Sequence, residues 1–488
     1  MLTCVSHGMA PSSATCIGST LRKARYYLRT AINESTSYWT NTPNTPIDST
    51  GQGSGISPGI CCATFSDLFD IHADISHGAN YRSPIHNNST TIHNIGYVDD
   101  TTTTVNDHHV SLPFNISQLS TMIQHDLQNW STLLYISGGA LEFSKTELFL
   151  MSWNFNEQGL PYLEDTSMST ISLQCPSTGN QHTISASSPL SSYKLLGFHL
   201  SPSQALHKQY KVLLDRAHHI AYTISGSTVT RREAFLTYFS IFLPAITYVL
   251  PLTHFSKKQC HKIQSKPTQI FLQKSGFPST LCRDVVFGCL CSGGLGFRDL
   301  YVEQGVSHII KFVQTLRTPG HSQKLLLLTI DEWQISSGFS SPLFFNTTKP
   351  CKHLEGSWLT STREFLATLS GSIVLPHAYC PSPLRILDQP IMEAFNKVPG
   401  LGRKRLMQLN CCRIFLQIHF LSEITNSSGD TLIPGFWSGD TILRPAPPIH
   451  RYPRQAPPSP ALWQLWRATI RKCFCTPCTT SLRTHLGP

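Results

Sequence analysis

Tyr97-Val98-Asp99-Asp100 lies between two β-favouring runs, Thr91-Ile92-His93-Asn94-Ile95-Gly96 and Thr101-Thr102-Thr103-Thr104-Val105. The pattern predicts a hairpin with two adjacent carboxylates at its tip. Such a pair repels itself and does little for folding. It makes chemical sense where a divalent cation supplies the opposite charge. A cation held by acids at a tight hairpin apex suits phosphoryl transfer to a nucleic-acid end. Asp is also common in ordinary exposed turns, so these four residues alone leave both readings open.

Charge along the chain supports the first reading. The 488 residues carry a formal net charge of +10. From 51 to 150 there are two Lys/Arg (Arg82, Lys145) against nine Asp/Glu; from 201 to 320 there are fourteen against five. An acidic segment followed by a basic one suits a metal-binding centre beside a surface for a phosphate backbone. Hydrophobic residues make up 40% of the chain, enough for a sizeable core and several domains. The 16 cysteines are scattered and form no secreted disulfide framework. Cys473, Cys475 and Cys478 read as free thiols in a loose tail. The N-terminus has neither a basic start nor a long apolar run. Phe239–Leu252, the most apolar stretch, contains Pro244 and Pro251 and reads as a buried helix too short to span a bilayer. The expected setting is intracellular, nuclear or cytoplasmic, with no membrane partner.

Working outward, residues 18–32 read as a basic helix with Arg22, Lys23, Arg25 and Arg29. Gly51-Gln52-Gly53-Ser54-Gly55-Ile56-Ser57-Pro58 reads as a loop able to pass close to a ligand, leading into a helix with Ile60, Phe65, Leu68 and Phe69 on one face. After the hairpin, Asn115 can cap a helix whose stripe runs Ile116, Leu119, Met122, Ile123, Leu127, Trp130, Leu133, Leu134, and which stops at Ser137-Gly138-Gly139. Lys145 follows on a polar turn, then short strands reach Leu200. Helices are expected from about Gln204 to Ser225 (Lys208, Lys211), from Arg231, and from His254 to Lys274 (Lys257, Lys258, Lys262, Lys266). Beyond 325, helices are expected near 361–369, 385–396 and 403–422. A Pro-rich linker follows at 445–460, then a short tail turn with Trp463 and Trp466.

The order of these motifs resembles the palm of reverse transcriptases of the non-LTR retrotransposon type. The carriers are Gly51-Gln52-Gly53-Ser54-x-x-Ser57-Pro58, then Tyr97-x-Asp99-Asp100, then Gly138-Gly139-x-Leu141-Glu142-x-x-Lys145-Thr146, then Leu196-Gly197-Phe198. Gly293-Gly294-Leu295-Gly296-Phe297-Arg298-Asp299-Leu300 resembles a segment found after the thumb. The resemblance implies template-directed nucleotidyl transfer, an RNA-directed DNA polymerase activity. It implies magnesium, with manganese as a substitute, and an RNA template, a DNA primer and deoxynucleoside triphosphates as partners. Asp99 would reach a metal, with Asp100 in support. Tyr97 would pack near the primer terminus. Gln52, Gly53 and Ser54 would line the floor beneath the incoming nucleotide. Lys145 would stand near the phosphates, and Leu196-Gly197-Phe198 would be the primer grip.

The departure is upstream. The family needs a further aspartate on a palm strand before the glycine loop, and the acids before residue 51 are Glu34 and Asp48 alone. The expectation is a chain truncated relative to such enzymes, as a decayed copy or a reading frame begun too late, and inactive alone. The fold expected is α+β. Residues 1–200 would form a partial palm of antiparallel sheet with helices, and 201–325 a helical basic thumb. Residues 326–440 would form a mostly helical region of unassigned role, and 441–488 a linker and tail. Duller roles stay open: Lys145 as a cap for the helix ending near Gly139, and the lysines at 257–266 as a solvated face. Two other functions also stay open. One is a non-catalytic nucleic-acid-binding remnant. The other is a helix-hairpin-helix-like DNA-binding module at 398–405, Val-Pro-Gly-Leu-Gly-Arg-Lys-Arg.

Overall fold

The structure is a computed structural model that describes Ser6 and residues 8–23, 25–29, 34–40, 57–97, 100–107, 116–376, 378–438 and 450–487. It is α+β, with many helices and small sheets that are antiparallel apart from one parallel pairing, Ala186 with Leu148. The chain divides into two compact units: residues 1–80, 91–150 and 166–188, and residues 81–90, 151–165 and 189–488.

In the first unit the expected basic helix at 18–32 is corrected. A helix runs Pro11–Lys23, and Arg25–Arg29 is a strand paired antiparallel with Glu34–Thr40. Tyr26, Tyr27, Tyr38 and Trp39 explain the switch. Aromatic residues favour the pleated surface, and the register sets Tyr26 opposite Trp39 and Tyr27 opposite Tyr38. The helix Ser57–Ile75 follows, with Pro58 in its first turn.

The helix Ile116–Ile136 organises this unit. Leu119 and Ile123 pack against Leu148, Leu150, Ile171, Leu173, Ile184 and Ala186 of the three-stranded sheet. Gln124 and Gln128, one turn apart, reach the sheet backbone. Gln124 Oε1 accepts from Ser172 N at 3.0 Å, and Gln128 both accepts from Gln174 N at 2.8 Å and donates to Gln174 O at 2.9 Å. Side-chain amides thus close a strand edge that would otherwise expose ladder groups. The helix ends as its glycines predict: Gly138 takes φ +89° and Gly139 N donates to Leu134 O.

In the second unit two cores form. One surrounds Tyr238, Phe242, Phe271 and Phe297, with Leu213, Ala217 and Ala221 of the helix His207–Gly226 and Ile263 and Ile270 of the helix Lys257–Lys274. Among the described residues one helical run, Arg231–Leu252, is long and apolar enough to cross a membrane. The helix expected from Arg231 thus runs on into the apolar stretch Phe239–Leu252. Tyr238, Phe242, Ile246 and Leu250 are buried in the core, whereas Leu236, Ile241 and Tyr248 are exposed.

The other core gathers Phe312, Phe339, Phe344, Phe395, Leu409, Leu416, Trp466 and Ile470. It corrects the reading of a loose tail. Pro460–Phe474 is a helix capped by Ser459, with Trp466 fully buried, and Cys475 is buried too. Residues beyond it pair back as isolated bridges, Thr431 with Ser481 and Cys475 with Leu482.

Candidate nucleic-acid interface

The hairpin forms as its pattern predicts. Asn94–Tyr97 pairs antiparallel with Asp100–Thr103, and Tyr97 lies directly opposite Asp100. Val98 and Asp99 lie outside the described residues. Tyr97 is 61% exposed, and Asp100 is exposed at the start of the return strand. Gly96 allows this hairpin to sit where it does. A Cβ there would stand 2.5 Å from Phe69 Cζ. Phe69 in turn stacks on Trp130, with ring centroids 5.2 Å apart. The hairpin is thus backed by the helices on both sides of it in sequence, and both carry aromatic rings to the contact.

Gln52, Gly53 and Ser54 lie outside the described residues, as does Asp99. A magnesium clamp of the expected kind needs converging carboxylates. Among the described residues, Asp100 is not grouped with two other acidic, histidine or cysteine donors.

Lys145 ends a 3₁₀ turn, Phe143–Lys145, that Glu142 caps. The Ser144 hydroxyl and amide both donate to Glu142 and hold its carboxyl below the usual range, with the charge of Lys145 adding to this. Lys145 itself is exposed.

In the second unit Leu196-Gly197-Phe198 forms a hairpin turn. Tyr193–Leu195 pairs with Phe198–Leu200, and the two connecting residues take φ +51° and +82°. Positive φ at both positions is the type I′ signature, costless at Gly197 but strained at Leu196. The Tyr248 hydroxyl donates to Leu196 O at 2.9 Å and holds the tip. Phe198 is buried in the neighbouring core, while Leu196 is exposed. His199, next along, is pushed below the ordinary histidine range by burial and by the positive charges of Lys208 and Lys194.

All six expected backbone-binding lysines are exposed, Lys208 and Lys211 on one helix and Lys257, Lys258, Lys262 and Lys266 on the helix packed against it. On the latter, Lys258, Lys262 and Lys266 follow one another at four-residue intervals. Cys260, Ile263, Pro267 and Phe271 fill the opposite, buried face. A capping box between Ser256 and Gln259 starts that helix. Residues 397–402 link the helices Ile391–Asn396 and Arg403–Leu416, with Gly400 at φ +83°, and Arg403, Lys404 and Arg405 open the second helix.

The sequence reading passed over one cluster. Asp126 occupies a place in the apolar stripe between Ile123 and Trp130, is fully buried, and collects His77 and His125 around its carboxylate. The signal was an acid at a core position preceded by a histidine. No protein-family model matches this chain, and a search of curated proteins finds no relative.

Proposed function

We propose that the chain carries a palm-and-thumb portion related to reverse transcriptases of the non-LTR retrotransposon type, and that in its 488-residue form it holds an RNA–DNA template–primer without extending it. The observation that carries this reading is the Tyr97–Asp100 hairpin, register-paired and backed by the helices Ser57–Ile75 and Ile116–Ile136, in the element order the motifs require. The exposed lysines on His207–Gly226 and Lys257–Lys274 support it by offering cations to a phosphate backbone. The absence of an aspartate-bearing strand motif among residues 1–50 argues against catalysis, since two carboxylates cannot bridge two metal ions as three do.

The test is fluorescence anisotropy with a labelled RNA–DNA duplex across a salt series, with a primer-extension assay on the same duplex. Binding should weaken steeply with salt. Replacing Lys258, Lys262 and Lys266 together by Glu should lower the salt slope by about two to three. Asp99→Ala should leave binding unchanged, and no primer should be extended with magnesium. Salt-independent binding, or a triple variant that binds as wild type, overturns the nucleic-acid reading. Robust incorporation overturns the non-catalytic part alone.

A second reading concerns 398–405. The helix Arg403–Leu416 starts without a side-chain cap, at Gly402, beside exposed Arg403, Lys404 and Arg405. Its free amides suit a phosphate. Duplex binding lost in Gly400→Asp, with the lysine-face variant unaffected, would favour this module instead.

A further inference from the structure

We propose that His77, His125 and Asp126 form a binding site for a divalent d-block cation of the zinc class. This inference needs nothing from the polymerase reading, and it uses none of the carboxylates of the hairpin.

The three side chains come from two elements that the fold brings together. His77 follows the end of the helix Ser57–Ile75, and His125 and Asp126 lie on Ile116–Ile136. One oxygen is the focus. Asp126 Oδ1 receives His77 Nδ1 at 2.7 Å and His125 Nδ1 at 3.2 Å. One ligand atom from each residue lies within 4.8 Å of the other two. Zinc bound at 2.0–2.1 Å in a tetrahedron separates its donors by about 3.3 Å, close to these spacings. A small outward movement of the His77 ring therefore suffices to admit an ion.

The surroundings are already organised as an outer shell. Asp126 is fully buried, and its Oδ2 accepts from His77 N at 2.9 Å and Gly78 N at 3.4 Å, which fixes the carboxylate plane. Behind it, His72 is also fully buried. It donates from Nε2 to Asp126 O at 2.8 Å and accepts from Asn94 Nδ2 at 2.7 Å. The Asn129 side-chain amide donates to Ile75 O at 3.1 Å, so the helix end that carries His77 is tied to the helix that carries Asp126.

Both histidine rings remain open to solvent, at 40% and 53% exposure, so an ion has a path in. On binding, each ring would present its Nδ1 lone pair to the metal and carry its proton on Nε2, at the solvent side. Two imidazoles and one carboxylate favour zinc, copper, nickel or cobalt over magnesium or calcium, which prefer all-oxygen sets.

Cobalt is the probe. The full-length chain titrated with Co2+ should develop the intense visible absorption of a low-coordinate nitrogen–oxygen site, and Zn2+ should displace it while millimolar Mg2+ does not. His125→Ala sits on an exposed helix position that favours alanine, so it should fold as wild type by circular dichroism. It should lose the cobalt band and bind one fewer equivalent of zinc, or bind it about tenfold more weakly. Zinc should raise the melting temperature of wild type and not of His125→Ala, with His77→Gln behaving likewise. Identical cobalt spectra and zinc stoichiometry in wild type and both variants overturn the site and leave Asp126 as a hydrogen-bonded anchor alone.

Discussion

Two residues decide how the hairpin and its supports fit together. Gly96 has no side chain because the Phe69 ring occupies that space, with Cζ and Cε2 2.5 and 2.7 Å from where a Cβ would be. Gly96→Ala should cost about 1–3 kcal/mol in a denaturant titration, since the ring is held on its far side by Trp130. Phe69→Leu added to it should recover part of the loss, and a double-mutant cycle with no coupling would refute the contact. The hairpin itself was legible because its information is local: alternating residues and a turn. Asp126 was not. Its meaning depends on His77 and Gly78, 49 and 48 residues earlier, whose amides it accepts. A stripe of core positions shows that something is buried at 126, not what awaits it there.

Among the elements, the helix expected from His254 to Lys274 was legible from its end signals. Lys257–Lys274 begins at its Ser256 cap, and Leu300–Arg317 begins where Asp299 accepts from Tyr301 N and Val302 N. The helix His321–Ser337 was missed, and its neighbour shows why such elements escape a local reading. Arg413, buried in the middle of Arg403–Leu416, donates to Ile335 O at 2.8 Å and Ser336 O at 3.0 Å, so it satisfies carbonyls at the end of the other helix. It also donates to Asn410 Oδ1 and Ile418 O. A guanidinium 78 residues away thus satisfies carbonyls at a helix end that Gly338, at φ +66°, closes locally. Arg413→Met should therefore cost about 3 kcal/mol or more despite its similar volume, because buried acceptors lose their donors. A chemical-denaturation midpoint equal to wild type would refute this. The strand Arg25–Arg29 was misread for the opposite reason. Its basic and aromatic residues continue the helix before it with no Gly or Pro between Leu21 and Arg29.

Across the whole second unit, three buried histidines set an acid limit. Burial pushes His308 and His353 down to about 4 and His419 to about 3, against an ordinary value of 6.5. His308 Nε2 meets Thr253 O at 2.7 Å, and His353 Nε2 meets Ser337 O at 2.8 Å, so each ring donates as a neutral imidazole. The folded state thus prefers these rings uncharged. Their contribution is fully present above pH 6.5 and is lost as pH falls toward 4, because the unfolded chain then binds more protons. Each histidine contributes up to about 1.4 kcal/mol per pH unit in that window. Melting temperature should drop steeply between pH 6.5 and 4.5. A flat profile there would show that the rings are not buried as described. The acidic segment 51–150 and the basic segment 201–320 were visible in composition. The C-terminal core was not, since its members are spread from Phe312 to Leu486.

That spread bears on how the protein is made. The helix Pro460–Phe474 inserts Trp463, Trp466, Ile470 and Phe474 among side chains translated far earlier. While the ribosome is still working toward these codons, Phe395 lacks the Trp466 ring that meets it edge-on. The nascent chain must wait with its oily surfaces bare, within reach of chaperones and of its own neighbours on the polysome. A premature stop just before residue 460 should therefore yield an aggregating product and no soluble, slightly shorter protein.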